Sequence, residues 1–177
     1  MSKKTIPVFR KKLSKFLTWW QKQNFVKFIG VFLLLSFIAK MAIGGLFLFP
    51  FFSIEDEPFG ADRLAGSNLL FGIISLVILV PILETFLFQQ LPISVVSKFS
   101  KNKYLQVFVS AVLFGITHPY SLLYIIYTIF AGIVLATGFI LYKEVHGTRK
   151  AFCVTALVHG LVNLVAVLAI IFFPEER

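Results

Sequence analysis

An all-α, polytopic integral membrane helix bundle of about five transmembrane helices is the fold class that this sequence predicts, and three observations carry it. Hydrophobic residues make up 58% of the 177 residues and charged residues 14%, against about 25% charged in soluble globular domains, which argues against a water-soluble fold. Apolar runs of spanning length recur, since a hydrocarbon core about 30 Å thick needs about 20 apolar residues of helix. Lysine and arginine are concentrated in alternate connecting segments, the pattern that orients spans in a membrane.

Residues 1–24 form a basic segment. The net charge is +9, and Lys3, Lys4, Arg10, Lys11, Lys12, Lys15 and Lys22 all precede the first apolar run. That placement points to the anionic cytoplasmic leaflet of a lipid bilayer rather than to nucleic acid. Phe16, Leu17, Trp19, Trp20 and Phe25 are interleaved with these lysines. Residues 8–24 are therefore expected to lie as an amphipathic interfacial helix, with a disordered basic tail as the alternative. The first apolar stretch is too long for a secretory signal, and no small-residue cleavage site follows it.

The spans are expected near Phe25–Phe52, Asn68–Val95, Tyr104–His118, Ser121–Tyr142 and Ala151–Phe173, with the last four (68–173) forming a core. The third is short, because Pro119 disfavours helix just before itself, so it must be tilted or sunk among its neighbours. In the first span Lys27 can snorkel to the headgroups, whereas Lys40 is expected to face a protein neighbour or a polar cavity. The amino-terminal segment, the loop with Lys98, Lys101 and Lys103, and the loop with Lys143, Arg149 and Lys150 are assigned to the cytoplasm. The loop SIEDEPFGADRLAGS falls on the other side, and its Glu55, Asp56 and Glu57 read as solvated. His146, in KEVHGTRK, reads as a solvated loop residue. Cys153, the single cysteine, leaves no internal disulfide or cysteine-pair zinc site and reads as a small buried hydrophobe.

A carboxylate or imidazole in hydrocarbon is costly and usually faces an interior or a water-filled cavity. Three spans each hold one: Glu84, His118 and His159. At about 1.5 Å of rise per residue, Glu84 and His159 both lie roughly 12 Å from the cytoplasmic ends of their helices, while counting from Tyr104 puts His118 about 21 Å deep. His159 and Asn163 share a helix face, as do Phe114 and His118, and Thr85 and Gln89. Taken singly, each polar group also fits a bond to a neighbouring helix. One glutamate and two histidines together suit the activation of water.

The order of these motifs resembles the CPBP family of intramembrane proteases, which includes the type II CAAX prenyl proteases and bacterial Abi or bacteriocin-immunity proteins. The family pattern EExxxR, FxxxH, HxxxN is similar to ETFLFQ (84–89), FGITH (114–118) and HGLVN (159–163), on successive core helices with one motif-free helix before the last. The resemblance implies that Glu84 is the catalytic glutamate, acting with His118, His159 and Asn163, and that the chain is a membrane endopeptidase. Thr85 and Gln89 depart from the pattern, standing where a glutamate and an arginine would pair. A neutral bond between them would remove both charges together and leave no orphan ion in the bilayer.

Two chemistries stay open under this resemblance: Glu84 as general base for water, or Glu84, His118 and His159 as ligands of a zinc ion with an open water position. A peptide or a lipidated protein entering from the cytoplasmic side is the implied substrate, and a bacterial plasma membrane the implied location. A catalytically silent scaffold or immunity protein is the first alternative. A small transporter or proton relay is the second, with no inverted repeat in its favour.

Overall fold

The structure, a computed structural model, describes residues 5–43 and 68–172, which form six helices and no strand. They are α1 (Thr5–Gln21), α2 (Phe25–Ile43), α3 (Leu69–Phe99), α4 (Lys103–Ile116), α5 (Leu122–His146) and α6 (Thr148–Phe172). Side-chain caps mark four starts where the first turn leaves N–H groups without partners: Asn24 accepts from Lys27 N at the start of α2, and three more follow. Asn68 accepts from Leu70 N, Asn102 from Tyr104 N and Leu105 N, and Ser121 from Tyr124 N.

Three of these helices are long and apolar enough to cross a membrane: Leu69–Phe99, Tyr124–His146 and Thr148–Ala169; Phe25–Ala39 and Lys103–Ile116 are shorter apolar helices. The fold is thus the all-α membrane bundle expected. Large apolar side chains such as Leu83, Phe86, Phe108 and Phe130 face outward, as lipid contact requires. The rest of the expected first span, to Phe52, and the Glu55–Glu57 loop lie outside the described residues, as does the side chain of Lys40.

The core joins Phe28 and Phe32 of α2 to Phe139, Ile140 and Tyr142 of α5 and to Val154, Val158 and Val162 of α6. α4 and α5 form a tight antiparallel hairpin, and α6 packs on α5 and α3. α1 is a helix, but its inner face is not left to lipid. Trp20 is buried, stacks on Phe28 at 5.0 Å between ring centroids and donates its indole N–H to Phe28 O at 3.1 Å. Gln21 Nε2 donates to Glu144 Oε2 at 2.9 Å, and Lys103 Nζ meets Glu144 Oε1 at 2.5 Å. Glu144 therefore ties α1 and α4 to the end of α5.

Several boundaries differ from the sequence expectation. The segment KEVHGTRK is not a loop: α5 runs to His146, α6 starts at Thr148, and only Gly147 separates them. Gly147 has φ +82°, a conformation that glycine adopts without steric cost. His146 is exposed but helical, with its ring 4.3 Å from Tyr142. Cys153 is exposed rather than buried, because it lies on the outward face of α6. α4 ends at Ile116, so His118 stands beyond it in the turn to α5. Pro119 supplies the reason.

α3 is one helix with two π segments, Ser75–Leu79 and Thr85–Gln90. Its buried row is Pro81, Thr85, Gln89 and Ile93. On a regular helix a spacing of four drifts about 40° per step, which would carry the ends of this row off the inner face. The wider π turn between Thr85 and Gln90 absorbs that drift and keeps the row inward.

Candidate active site

Glu84 lies immediately before the second π segment and six residues or fewer from the first. A π turn leaves backbone carbonyls displaced from regular helix geometry, and in each segment a neighbouring helix captures one. Asn163 Nδ2 on α6 donates to Leu76 O at 3.1 Å, and Ser110 Oγ on α4 donates to Phe88 O at 2.5 Å. α3 is thereby pinned on both sides of Glu84.

The approach of α6 to α3 is set by Gly160, next to His159. A Cβ there would come within 2.4 Å of Val77 O. The missing side chain lets the two backbones meet, and their antiparallel register carries His159 to Glu84. His159 is buried, and its Nε2 is 3.5 Å from Glu84 Oε2.

His118 reaches the same carboxylate from the α4–α5 turn, with Nε2 3.5 Å from Glu84 Oε1. Its Nδ1 is 2.8 Å from Phe114 O. A carbonyl can only accept, so Nδ1 carries a proton and Nε2 is the nitrogen presented to Glu84. This bond folds the ring back over the last turn of α4 and removes the depth mismatch that counting along a straight helix gives. Phe114 walls both imidazoles, with ring centroids 4.8 Å from His118 and 5.8 Å from His159.

The structure thus brings Glu84, His118, His159 and Phe114 together, with Asn163 one turn beyond His159. Glu84 and His118 keep side-chain exposures of 19% and 16%, so a water can touch both. Thr85 and Gln89 are fully buried beside them. The neutral bond that these two could make, which the sequence leaves open, is not formed: among the described residues neither Thr85 Oγ1 nor the Gln89 amide has a hydrogen-bond partner.

Sequence reading passed over Ser110, Gly160 and Thr155. Each had a signal. Ser110 lies four residues before Phe114 and Thr155 four before His159, on the same helix faces, and Gly160 is a small residue beside a motif histidine.

Two imidazoles and a carboxylate are zinc-type donors. Each imidazole here faces a different carboxylate oxygen, and among the described residues no group of three or more His, Cys, Asp or Glu side chains is arranged to hold a metal ion. No step below is therefore routed through a metal.

The family model for type II CAAX prenyl endopeptidase, Rce1-like, matches residues 66–165, more than half of the chain and all of Glu84, His118, His159 and Asn163. The chain belongs to this Rce1-like family. At family level it is a CAAX-type intramembrane protease, with a membrane environment and a protein or peptide substrate. No curated protein and no solved structure matches it. The match covers α3, α4, α5 and most of α6, the four helices that build the site, and leaves α1 and α2 outside.

Proposed function

We propose that this protein hydrolyses a peptide bond of a membrane-associated substrate with a water activated by Glu84. The observation that carries the reading is one carboxylate faced at 3.5 Å by the Nε2 of two imidazoles from separate elements. That spacing exceeds the roughly 2.7–2.9 Å of a direct charge-assisted hydrogen bond. It leaves the carboxylate able to hold a water beside the two rings.

In this mechanism Glu84 takes one proton from the water while the resulting hydroxide attacks the carbonyl carbon, and His118 orients the water through Nε2. The developing oxyanion accepts from His159 and from the Asn163 N–H that is not given to Leu76 O, a role worth a few kcal/mol in other hydrolases. Glu84 then passes its proton to the leaving amine as the C–N bond breaks. Substrate enters from the side of the basic segments, which we place in the cytoplasm against the anionic leaflet of a bacterial plasma membrane. A lipidated peptide suits that route.

The test uses purified full-length protein in lipid nanodiscs with a library of lipidated and unlipidated peptides. Wild type is run beside Glu84→Gln and His159→Ala, each with and without a chelator. Cleavage by wild type that is lost in Glu84→Gln supports the mechanism, and full activity in Glu84→Gln overturns it. Loss in chelator with recovery in zinc would assign Glu84 to a metal instead. No cleavage by any sample would favour a silent scaffold.

A further inference from the structure

The least expected groups near the site are four buried polar atoms: Thr85 Oγ1, Gln89 Oε1, Gln89 Nε2 and Thr155 Oγ1. None has a hydrogen-bond partner among the described residues, and all three side chains are 0% exposed. Buried polar groups in native proteins are nearly always bonded to protein or to ordered water, because leaving one unmade costs the full desolvation penalty. Gln89 alone would leave both ends of its amide unmet.

These side chains share one location. The antiparallel register of α3 and α6 is set by Leu76 with Asn163, Val77 with Gly160, and Glu84 with His159. Taken together, these three pairs put Thr155 level with residues 82–88 of α3, the turn that carries Thr85. Gln89 follows one turn along the same face of α3, in the segment where Ser110 holds Phe88 O. The π segment Thr85–Gln90 packs on α4, α5 and α6 together, so the location is interior. It lies directly behind the Glu84–His159 pair, toward the 99–103 loop.

We propose that Thr85, Gln89 and Thr155 form an internal water-binding pocket, in which ordered water bridges α3 to α6 behind Glu84. Such a water typically makes about three hydrogen bonds, and this site supplies two hydroxyls and an amide. The pocket stands on geometry alone. Its relevance to catalysis, as a polar backing for the Glu84 carboxylate and its water, rests on the hydrolytic reading above.

Two activity-free measurements test it. A structure of the full chain in a bilayer mimetic, at a resolution that shows water, should place density within hydrogen-bond distance of the Gln89 amide and at least one of the two threonine hydroxyls. Gln89 bonded directly to either threonine, with no such density, overturns the pocket. The second is thermal melting of Thr85→Val, Gln89→Met, Thr155→Val and the triple variant. Each single change strips a partner from a shared water and should lower the melting temperature by about 2–4 °C. The triple variant, which removes all the polar groups, should lose clearly less than the sum. Strictly additive losses would mean that the groups share no ligand and would overturn the proposal. Neither result depends on finding a cleavable peptide, so the pocket and the hydrolytic reading can fail separately.

Discussion

At the scale of single residues, the site is a set of opposed polar groups held by backbone. His118 is oriented by the Phe114 carbonyl at 2.8 Å, and α3 is held on either side of Glu84 by Asn163 and Ser110. Glu84→Gln keeps size and removes basicity, so kcat is expected to fall by about 10²–10⁴ with the fold retained; peptide cleavage and circular dichroism on the same preparation check both halves. Under the proposed mechanism Ser110 is a positioning residue. Ser110→Ala should cost about 0.5–1.5 kcal/mol of stability and lower kcat more than it changes KM, while Ser110→Thr, which keeps the hydroxyl, should recover activity. Equal kcat in wild type and Ser110→Ala would show that the pin does not hold Glu84. Glu84, His118, His159 and Asn163 are the candidates that the motifs put forward. Ser110, Thr155 and Gly160 carry only a weak signal in their spacing, because serine, threonine and glycine occur in many helices for reasons unrelated to a site.

At the scale of elements, the seam between α3 and α6 decides whether Glu84 and His159 meet. Gly160→Ala places a methyl 2.4 Å from the Val77 carbonyl, and backbone cannot yield as a flexible side chain does. Overpacking of this kind costs about 1–3 kcal/mol; a drop in melting temperature together with weaker cleavage is the expected outcome, and an unperturbed melt would contradict the contact. Asn102 caps α4 at both Tyr104 N and Leu105 N. Asn102→Ala should cost about 1 kcal/mol, measurable by thermal melting, while Asn102→Asp should cost less. Hydropathy located these helices well, but it missed the π segments. A periodicity of four along Pro81, Thr85, Gln89 and Ile93 hints at them, and only the packed neighbours show that the helix widens there.

At the scale of the whole molecule, α1 is joined to the bundle by more than lipid attraction. Trp20 is 1% exposed and meets both Phe28 and Phe32 of α2, and Gln21 reaches Glu144 on α5. Trp20→Ala should therefore cost about 3–5 kcal/mol, seen as a lower melting temperature of the full chain in nanodiscs, whereas Trp19→Ala, at a half-exposed position, should cost far less. The sequence by itself determined the class, the helices and the order of the motifs, because the length and apolarity needed to cross a bilayer and the cost of charge within it are written residue by residue. It also marked ETFLFQ as a variant. Only the tertiary structure decided that Thr85 and Gln89 do not bond each other, that His118 stands in a turn, that Cys153 faces outward and that α1 docks on the core. Those outcomes depend on how closely two backbones approach and which face each helix turns inward. Such contacts join residues far apart in the chain, and no local pattern records them.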